Sequence, residues 1–246
     1  DNYFNLFTDD GHIGIGYTYD NHEEMINRGE FIINGILDRK DDVLGLDVNI
    51  RPSTIYLNSR EWSIMPSNLK IRGKEINIGS LELTSGEQRL KAFGKTSDQK
   101  TDTLKVSLDR FDISIINPLL ESKLDIQGAI TGEVRLMSPL KTPSISLSML
   151  CDSTAIAGKE LGTLSVGCDW NEDTNGLDIG IRNDILGRSS INAYGSFIPK
   201  TMTVDVSAEM TGMEIGYVQP LLPDIFSEMD GSLSGTVHLD GPLDNL

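Results

Sequence analysis

The phrase Ile115-Ile116-Asn117-Pro118-Leu119-Leu120 comes back as Tyr217-Val218-Gln219-Pro220-Leu221-Leu222, an offset of 102 residues from Pro118 to Pro220. The residues downstream of each copy come back with it. Gly128-Ala129-Ile130-Thr131-Gly132-Glu133-Val134-Arg135-Leu136 is answered by Gly231-Ser232-Leu233-Ser234-Gly235-Thr236-Val237-His238-Leu239, and Pro139-Leu140 by Pro242-Leu243. A fixed period of this length marks one structural unit used more than once, so the chain reads as an array before it reads as a globule. The period also extends backwards: Leu90-x-Ala92-x-Gly94 precedes the first copy, Ile191-x-Ala193-x-Gly195 the second, and Phe31-x-Ile33-x-Gly35 is a looser third instance. The period divides the chain into a partial preceding repeat over 1–52, a unit over 53–143 and a second over 144–246, forming one continuous array rather than separate domains.

Within the repeat the dominant pattern has period two. Ile13-x-Ile15-x-Tyr17-x-Tyr19, Leu46-x-Val48-x-Ile50, Ile76-x-Ile78, Leu81-x-Leu83, Leu104-x-Val106-x-Leu108, Ile145-x-Leu147-x-Met149, Leu164-x-Val166-x-Cys168-x-Trp170, Leu177-x-Ile179-x-Ile181 and Val204-x-Val206-x-Ala208 all place apolar side chains on one face. Such alternation predicts half-buried antiparallel strands. Asn175-Gly176, between two alternating runs, predicts a type I′ hairpin in which both central residues take positive φ. Asp9-Asp10-Gly11, Ser85-Gly86, Leu186-Gly187-Arg188 and Pro199-Lys200 punctuate the rest. At that spacing the chain would hold roughly twenty strands. Helix is scarce, and the repeated phrase is the exception. Asn117 and Gln219 each precede a proline suited to the first helical position, which predicts one short helix per unit, ending at Gly128 or Gly231.

Several function classes are excluded or disfavoured. A net charge of −16 with pI ≈ 4.5 would repel nucleic-acid phosphates. No apolar run approaches the length of a membrane-spanning helix. The chain opens on Asp1 without a signal-peptide pattern, which is expected of a piece of a longer protein. Cys151 and Cys168 are read as small buried hydrophobes, with a disulfide as the alternative. His12, His22 and His238 lie in no metal-protease arrangement, no nucleophile elbow occurs, and the glycines at 11, 14 and 16 have the wrong spacing for a dinucleotide loop. His238, between Val237 and Leu239, is expected to face solvent. Asn171-x-Asp173-x-Asn175-Gly176 opens like a calcium loop, but its twelfth position is Arg182 where a bidentate carboxylate is needed. Asp38, Asp41 and Asp42 beside Arg39 and Lys40 read as a solvated turn. The expectation is a protein that is not an enzyme, with no metal and no cofactor.

An antiparallel sheet with one apolar face must cover that face, and few helices are on offer to do it. Facing sheets in a sandwich, closure as a barrel, or lengthwise folding into a trough are the three solutions. Twenty strands about 4.8 Å apart would make a trough on the order of 90 Å long.

Leu57-Asn58-x-x-x-Trp62, Gln88-x-Leu90-x-Ala92-x-Gly94, Asp102-x-Leu104-x-Val106, Pro118-Leu119-Leu120, Gly128-x-x-x-Gly132 and Pro139-x-x-x-Pro143, in that order, resemble the carboxy-terminal region of TamB-like proteins, the translocation and assembly module family, in the form seen in Bacteroidota. Leu161-Gly162-x-Leu164-x-Val166-x-x-x-Trp170, Gly195 and the second Pro220-Leu221-Leu222 look like the next unit of the same array. The likeness covers most of residues 50–246. It implies an elongated antiparallel sheet folded into a U-shaped trough, a β-taco, with a hydrophobic interior. It also implies the periplasmic portion of a bridge anchored in the inner membrane of a Gram-negative bacterium, carrying phospholipid or fatty-acyl chains toward the outer membrane. Through some members it implies a BamA- or TamA-like outer-membrane barrel as partner. Bringing a sixteen-carbon tail through water costs on the order of 10 kcal/mol, at about 0.8 kcal/mol per CH₂, so such a conduit needs unbroken apolar surface. The candidate lining is Leu104, Val106 and Leu108; Ile113 and Ile115; Ile130, Val134 and Leu136; Ile145 and Leu147; Leu164 and Val166; Ile179 and Ile181; Val204, Val206, Ala208 and Ile215. The alternative reading is a pair of tandem β-sandwich modules of an extracellular adhesin or binding protein, whose domains are also about 100 residues each.

Overall fold

The computed structural model describes residues 2–9, 12–20, 28–57, 59–97, 99, 101–119, 125–137, 144–156, 158–185, 190–214 and 231–242, with side chains from 32 onward except 116, 118 and 119. The chain is all-β, and every strand pairing described is antiparallel. It divides into two compact units: Asp1–Arg110 with Val134–Ser144, and Phe111–Glu133 with Ile145–Leu246.

The first unit is a meander of β1 (Asn2–Asp9), β2 (His12–Asp20), β3 (Arg28–Lys40), β4 (Val43–Ile50), β5 (Ser53–Leu57), β6 (Arg60–Ile64), β7 (Ser67–Arg72), β8 (Glu75–Ser85), β9 (Gln88–Thr96) and β10 (Thr103–Asp112). Its middle has an unusual cause. β4 and β5 both pair with β3, β7 and β6 both pair with β8, and the ladder between them keeps one register across the gap: Ile50 faces Ser67 before it and Ser53 faces Ile64 after it. They are two long strands, each broken once. Pro52 and Pro66 stand in the facing gaps, and a proline has no N–H to give to a ladder. Arg51 N to Ile32 O (3.0 Å) and Met65 N to Glu82 O (2.9 Å) hold the broken strands to their outer neighbours. The runs Ile76-x-Ile78 and Leu81-x-Leu83 likewise belong to one strand, β8, with a bulge between them against β9.

Alternation sorts the faces of this unit. Gly35, Val48, Leu69, Ile78, Gly94 and Leu104 stand side by side across β3, β4, β7, β8, β9 and β10. Val48, Ile55, Trp62, Ile64 and Ala92 are buried, Trp62 at 1% exposure. The opposite face is charged and cross-paired. Arg72 binds Asp38 and Asp47, Lys70 lies 3.9 Å from Asp47, and Lys95 reaches Glu75 (2.9 Å) and Asp102 (3.5 Å). The hydrogen bond to Asp38 raises the Arg72 pKa, and that to Glu75 raises Lys95.

The second unit contains a 3-10 helix, Ile113–Leu119, then β11 (Ile126–Met137, shared with the first unit from Val134), β12 (Ser144–Ile156), β13 (Lys159–Asn171), β14 (Gly176–Asp184), β15 (Ile191–Ile198), β16 (Thr203–Glu214) and β17 (Ser232–Pro242). β12 to β17 pair in sequence order. The helix differs from expectation. Pro118 lies near its end, not at its first position, because Asn117 has other work: its amide donates to Asp125 Oδ1 and Ile126 O and accepts from Ile126 N, clamping the start of β11. Asp112 caps the entrance by accepting from Ser114 N (2.9 Å). The second copy of the phrase lies outside the described residues.

The Asn175-Gly176 expectation is also corrected. The turn is a longer loop between Asn171 and Gly176, in which Asn175 alone of the two has positive φ, 51°. Gly176 begins β14, and a Cβ there would lie 2.9 Å from Phe197 O on β15. The glycine serves close approach, not turn geometry. Asn171 Oδ1 accepts from Asp173 N and Thr174 N, so the calcium-like spacing is an Asx turn. Cys151 and Cys168 are free thiols, with Cys151 buried, which removes the disulfide alternative.

Candidate functional site: an apolar face across consecutive strands

In the second unit, residues directly opposite one another share a face, so the registers spell out rows that cross the strands. One row runs Leu147, Cys168, Ile179, Gly195, Val206, Leu239; its neighbour runs Met149, Val166, Ile181, Ala193, Ala208, Val237. A third, Trp170, Leu177, Phe197, Val204, flanks them on the side of the Asn171–Gly176 loop. On the other side Cys151 and Leu164 lead to Asn183, where the apolar row ends. Asn183 is fully buried. Its amide donates to Leu161 O and Ser190 Oγ and accepts from Ser190 N and Ile191 N, so this polar side chain is satisfied within the protein.

The other face of the same strands is polar. Ser146, Asp169, Asp178, Ser196, Asp205 and Asp240 form one row there. The two faces therefore differ in kind: aliphatic against carboxylate.

The degree of burial matters more than the pattern. Every candidate lining residue with a described side chain is half-buried; none is sealed and none is fully exposed. Leu147, Leu164, Val166, Ile179, Ile181, Val204, Val206 and Ala208 fall in the rows above, with Ile145 two residues before Leu147 on the same face. Ile130 lies between Gly128 and Gly132, whose missing side chains would press on Cys151 and Met149, which puts it beside the same rows. Val134 and Leu136 lie further along β11, in the part counted with the first unit. Leu104, Val106 and Leu108 face Gly94, Ala92 and Leu90 in the first unit. Ile113 and Ile115 are not strand residues; they sit in the 3-10 helix, outside the rows. Ile215 lies outside the described residues.

Sequence reasoning missed Met149, Cys168, Trp170, Leu177, Ala193 and Phe197 as lining, all members of these rows. Their parity within each strand was the available signal. Cys168 stands between Leu147 and Ile179, and its burial pushes the thiol above its ordinary 9.0, with Asp169 and Asp178 adding to the effect.

Two polar groupings compete for attention. Ser207, His238 and Asp205 gather on the polar face, but Ser207 Oγ (3.1 Å) and Asp205 Oδ1 (3.9 Å) both address His238 Nδ1, whereas a catalytic triad needs the serine and the carboxylate on opposite ring nitrogens. A hollow of about 470 Å³ is lined by Gln127, Thr154, Glu160, Thr163, Asp184 and Ile185 among others. Among the described residues no cluster of three metal-ligating side chains occurs there or elsewhere. No protein-family model, curated protein or solved structure matches the chain.

Proposed function

We propose that the chain is a non-catalytic segment of a lipid-transfer bridge, in which the apolar rows line a trough that shields phospholipid acyl chains between the inner and outer membranes. The observation that carries this reading is the uniform half-burial of the candidate lining residues. Side chains that packed against a second sheet would be sealed, and side chains with no purpose would be replaced by polar ones. A surface left apolar over six consecutive strands, β12 to β17, extends roughly 24 Å at about 4.8 Å per strand, enough to lie along an acyl chain.

Acyl chains need only a continuous apolar lining, and no group has to titrate or attack. The carboxylate row on the opposite face keeps such a sheet in solution. The ordered likeness to TamB-like proteins supplies the biological setting: a periplasmic, inner-membrane-anchored protein, a β-taco interior, a short helix in each unit, outer-membrane biogenesis, and a BamA- or TamA-like barrel as partner.

The test is a pair of substitutions at neighbouring positions on opposite faces. Val206→Asp places a charge in the lining, while Asp205→Asn alters the polar face. Val206→Asp should lower binding of a fluorescent fatty acid at least tenfold and fail to restore outer-membrane integrity in the full-length protein, and Asp205→Asn should leave both unchanged. Equal effects at both positions would refute the trough.

Tandem β-modules are the second reading, favoured by the division into two compact units. Within each unit, however, the described strands pair one after another as a single antiparallel sheet, whereas a sandwich is built from two separately paired sheets. Bound lipid separates the two readings.

A further inference from the structure

We propose that Cys151, Thr154, Asn183 and Met213 form a floor at one end of the apolar face of the second unit, on which acyl tails end, so that these residues set the longest tail the unit accepts. The floor presupposes the lipid reading above and gives the groove a direction and a length.

Burial is graded along the strands. Cys151 stands opposite Leu164, Thr154 opposite Gly162 and Met213 opposite Leu233, so these positions continue the face that carries Leu147, Val166 and Val206. Cys151, Thr154, Asn183 and Met213 are 5%, 3%, 0% and 5% exposed. No side chain in the rows through Trp170, Leu147 and Met149 is sealed to that degree. The sheet also bends where it is sealed. β12 bulges between Cys151 and Thr154, and β16 between Met210 and Met213, and a bulge bends its strand and increases its twist. Thr154 Oγ1 donates to Cys151 O (2.8 Å) across the first bulge, and Thr211 N donates to Ser190 O (2.9 Å) from the second. Asn183 spends its amide on Leu161, Ser190 and Ile191. The polar groups of the floor are thus engaged within the protein.

At the opposite end the strands turn at 172–175 and 199–202, where Met202 is 52% exposed. Leu177, beside the first turn, lies six residues (183 − 177) before Asn183 on β14, about 20 Å at 3.3 Å per residue. The hydrocarbon core of a bilayer is about 30 Å thick, so a single membrane tail spans about 15 Å. A tail laid along the strands therefore reaches the floor with its head at the turns, and the width of the sheet holds tails side by side. Met213 is the floor residue to vary, because shortening it removes apolar volume without cutting the Asn183 bonds.

The test is displacement of a fluorescent fatty acid from the intact protein by saturated fatty acids of about ten to about twenty-four carbons. Affinity should rise roughly fourfold with each added CH₂ and stop rising at one length. Met213→Ala should move that limit upward by at least two carbons and change the affinity of shorter acids less than twofold. Val204→Ala, in the row beside the turns, should weaken all lengths and leave the limit in place. In the unaltered protein, a fatty acid brominated near its carboxyl group should quench Trp170 fluorescence at least threefold more than one brominated at its methyl end. If Met213→Ala does not fold, the brominated pair decides. No binding at any length overturns the lipid reading and the floor with it. Binding without a length limit, a limit unmoved in folded Met213→Ala, or equal quenching of Trp170 overturns the floor alone.

Discussion

At Gly195 a side chain has nowhere to go: its Cβ would stand 2.6 Å from Val206 Cα and collide with Asp205 O. Gly94 holds the same place in the first copy, opposite Leu104 and hard against Thr103 O. Gly195→Ala and Gly94→Ala should each cost about 1–3 kcal/mol in urea unfolding, the range for overfilling a packed site; a cost below experimental error at both would show that the strands separate freely there. Cys168 offers a pH test. Its thiol pKa is raised in the folded chain, so the unfolded chain loses the proton first, and the stability this contributes is complete below 9.0 and lost as pH rises through the folded value. The pH profile of iodoacetamide alkylation should accordingly have a higher midpoint in the native protein than in urea. Much of this scale was legible beforehand, since parity alone put Val166, Ile181 and Val206 on one face. Gly176 was not, because a glycine needed for a neighbour's carbonyl and a glycine needed for positive φ look alike in sequence.

Strands were readable as elements because a period of two needs no long-range information. Their joins were harder to read. The breaks at Pro52 and Pro66 make sense only once the two prolines are seen to face each other's gap, which requires the register between β4–β5 and β6–β7. Register also sets the alignment of the repeats: Gly94 faces Leu104 and Gly195 faces Val206, so Leu104 and Val106 correspond to Val206 and Ala208. That correspondence restores the 102-residue offset of the proline phrase. The helix lies earlier than Pro118 suggests, because a proline suited to the first helical position here falls near the end of Ile113–Leu119, and the Asn117 amide is committed to Asp125 and Ile126. Asn117→Ala should therefore leave Ile126 N and O without these partners and cost roughly 1–3 kcal/mol, with faster amide exchange at the start of β11. Unchanged exchange there would show that the clamp is dispensable. The core of the first unit centres on Trp62, and Trp62→Ala should cost about 3–5 kcal/mol by calorimetry or denaturant unfolding.

For the molecule as a whole, the decisive question is what occupies the apolar face. Sequence could predict that such a face exists, because alternation over many strands with few helices leaves apolar side chains to be covered. It could not say how far they would be covered, since burial depends on what lies opposite a strand and not on the strand's own residues. Half-buried rows across β12 to β16 are the structural basis of the proposed lipid path. The most direct measurement is native mass spectrometry of the protein purified from a membrane-containing lysate without detergent, with organic extraction of whatever is bound. A lipid-lined trough predicts phospholipid or fatty acid leaving with the protein, lost at least tenfold in Val206→Asp with its circular dichroism unchanged. A protein that remains folded and carries no acyl lipid, even after incubation with phospholipid vesicles, would contradict it.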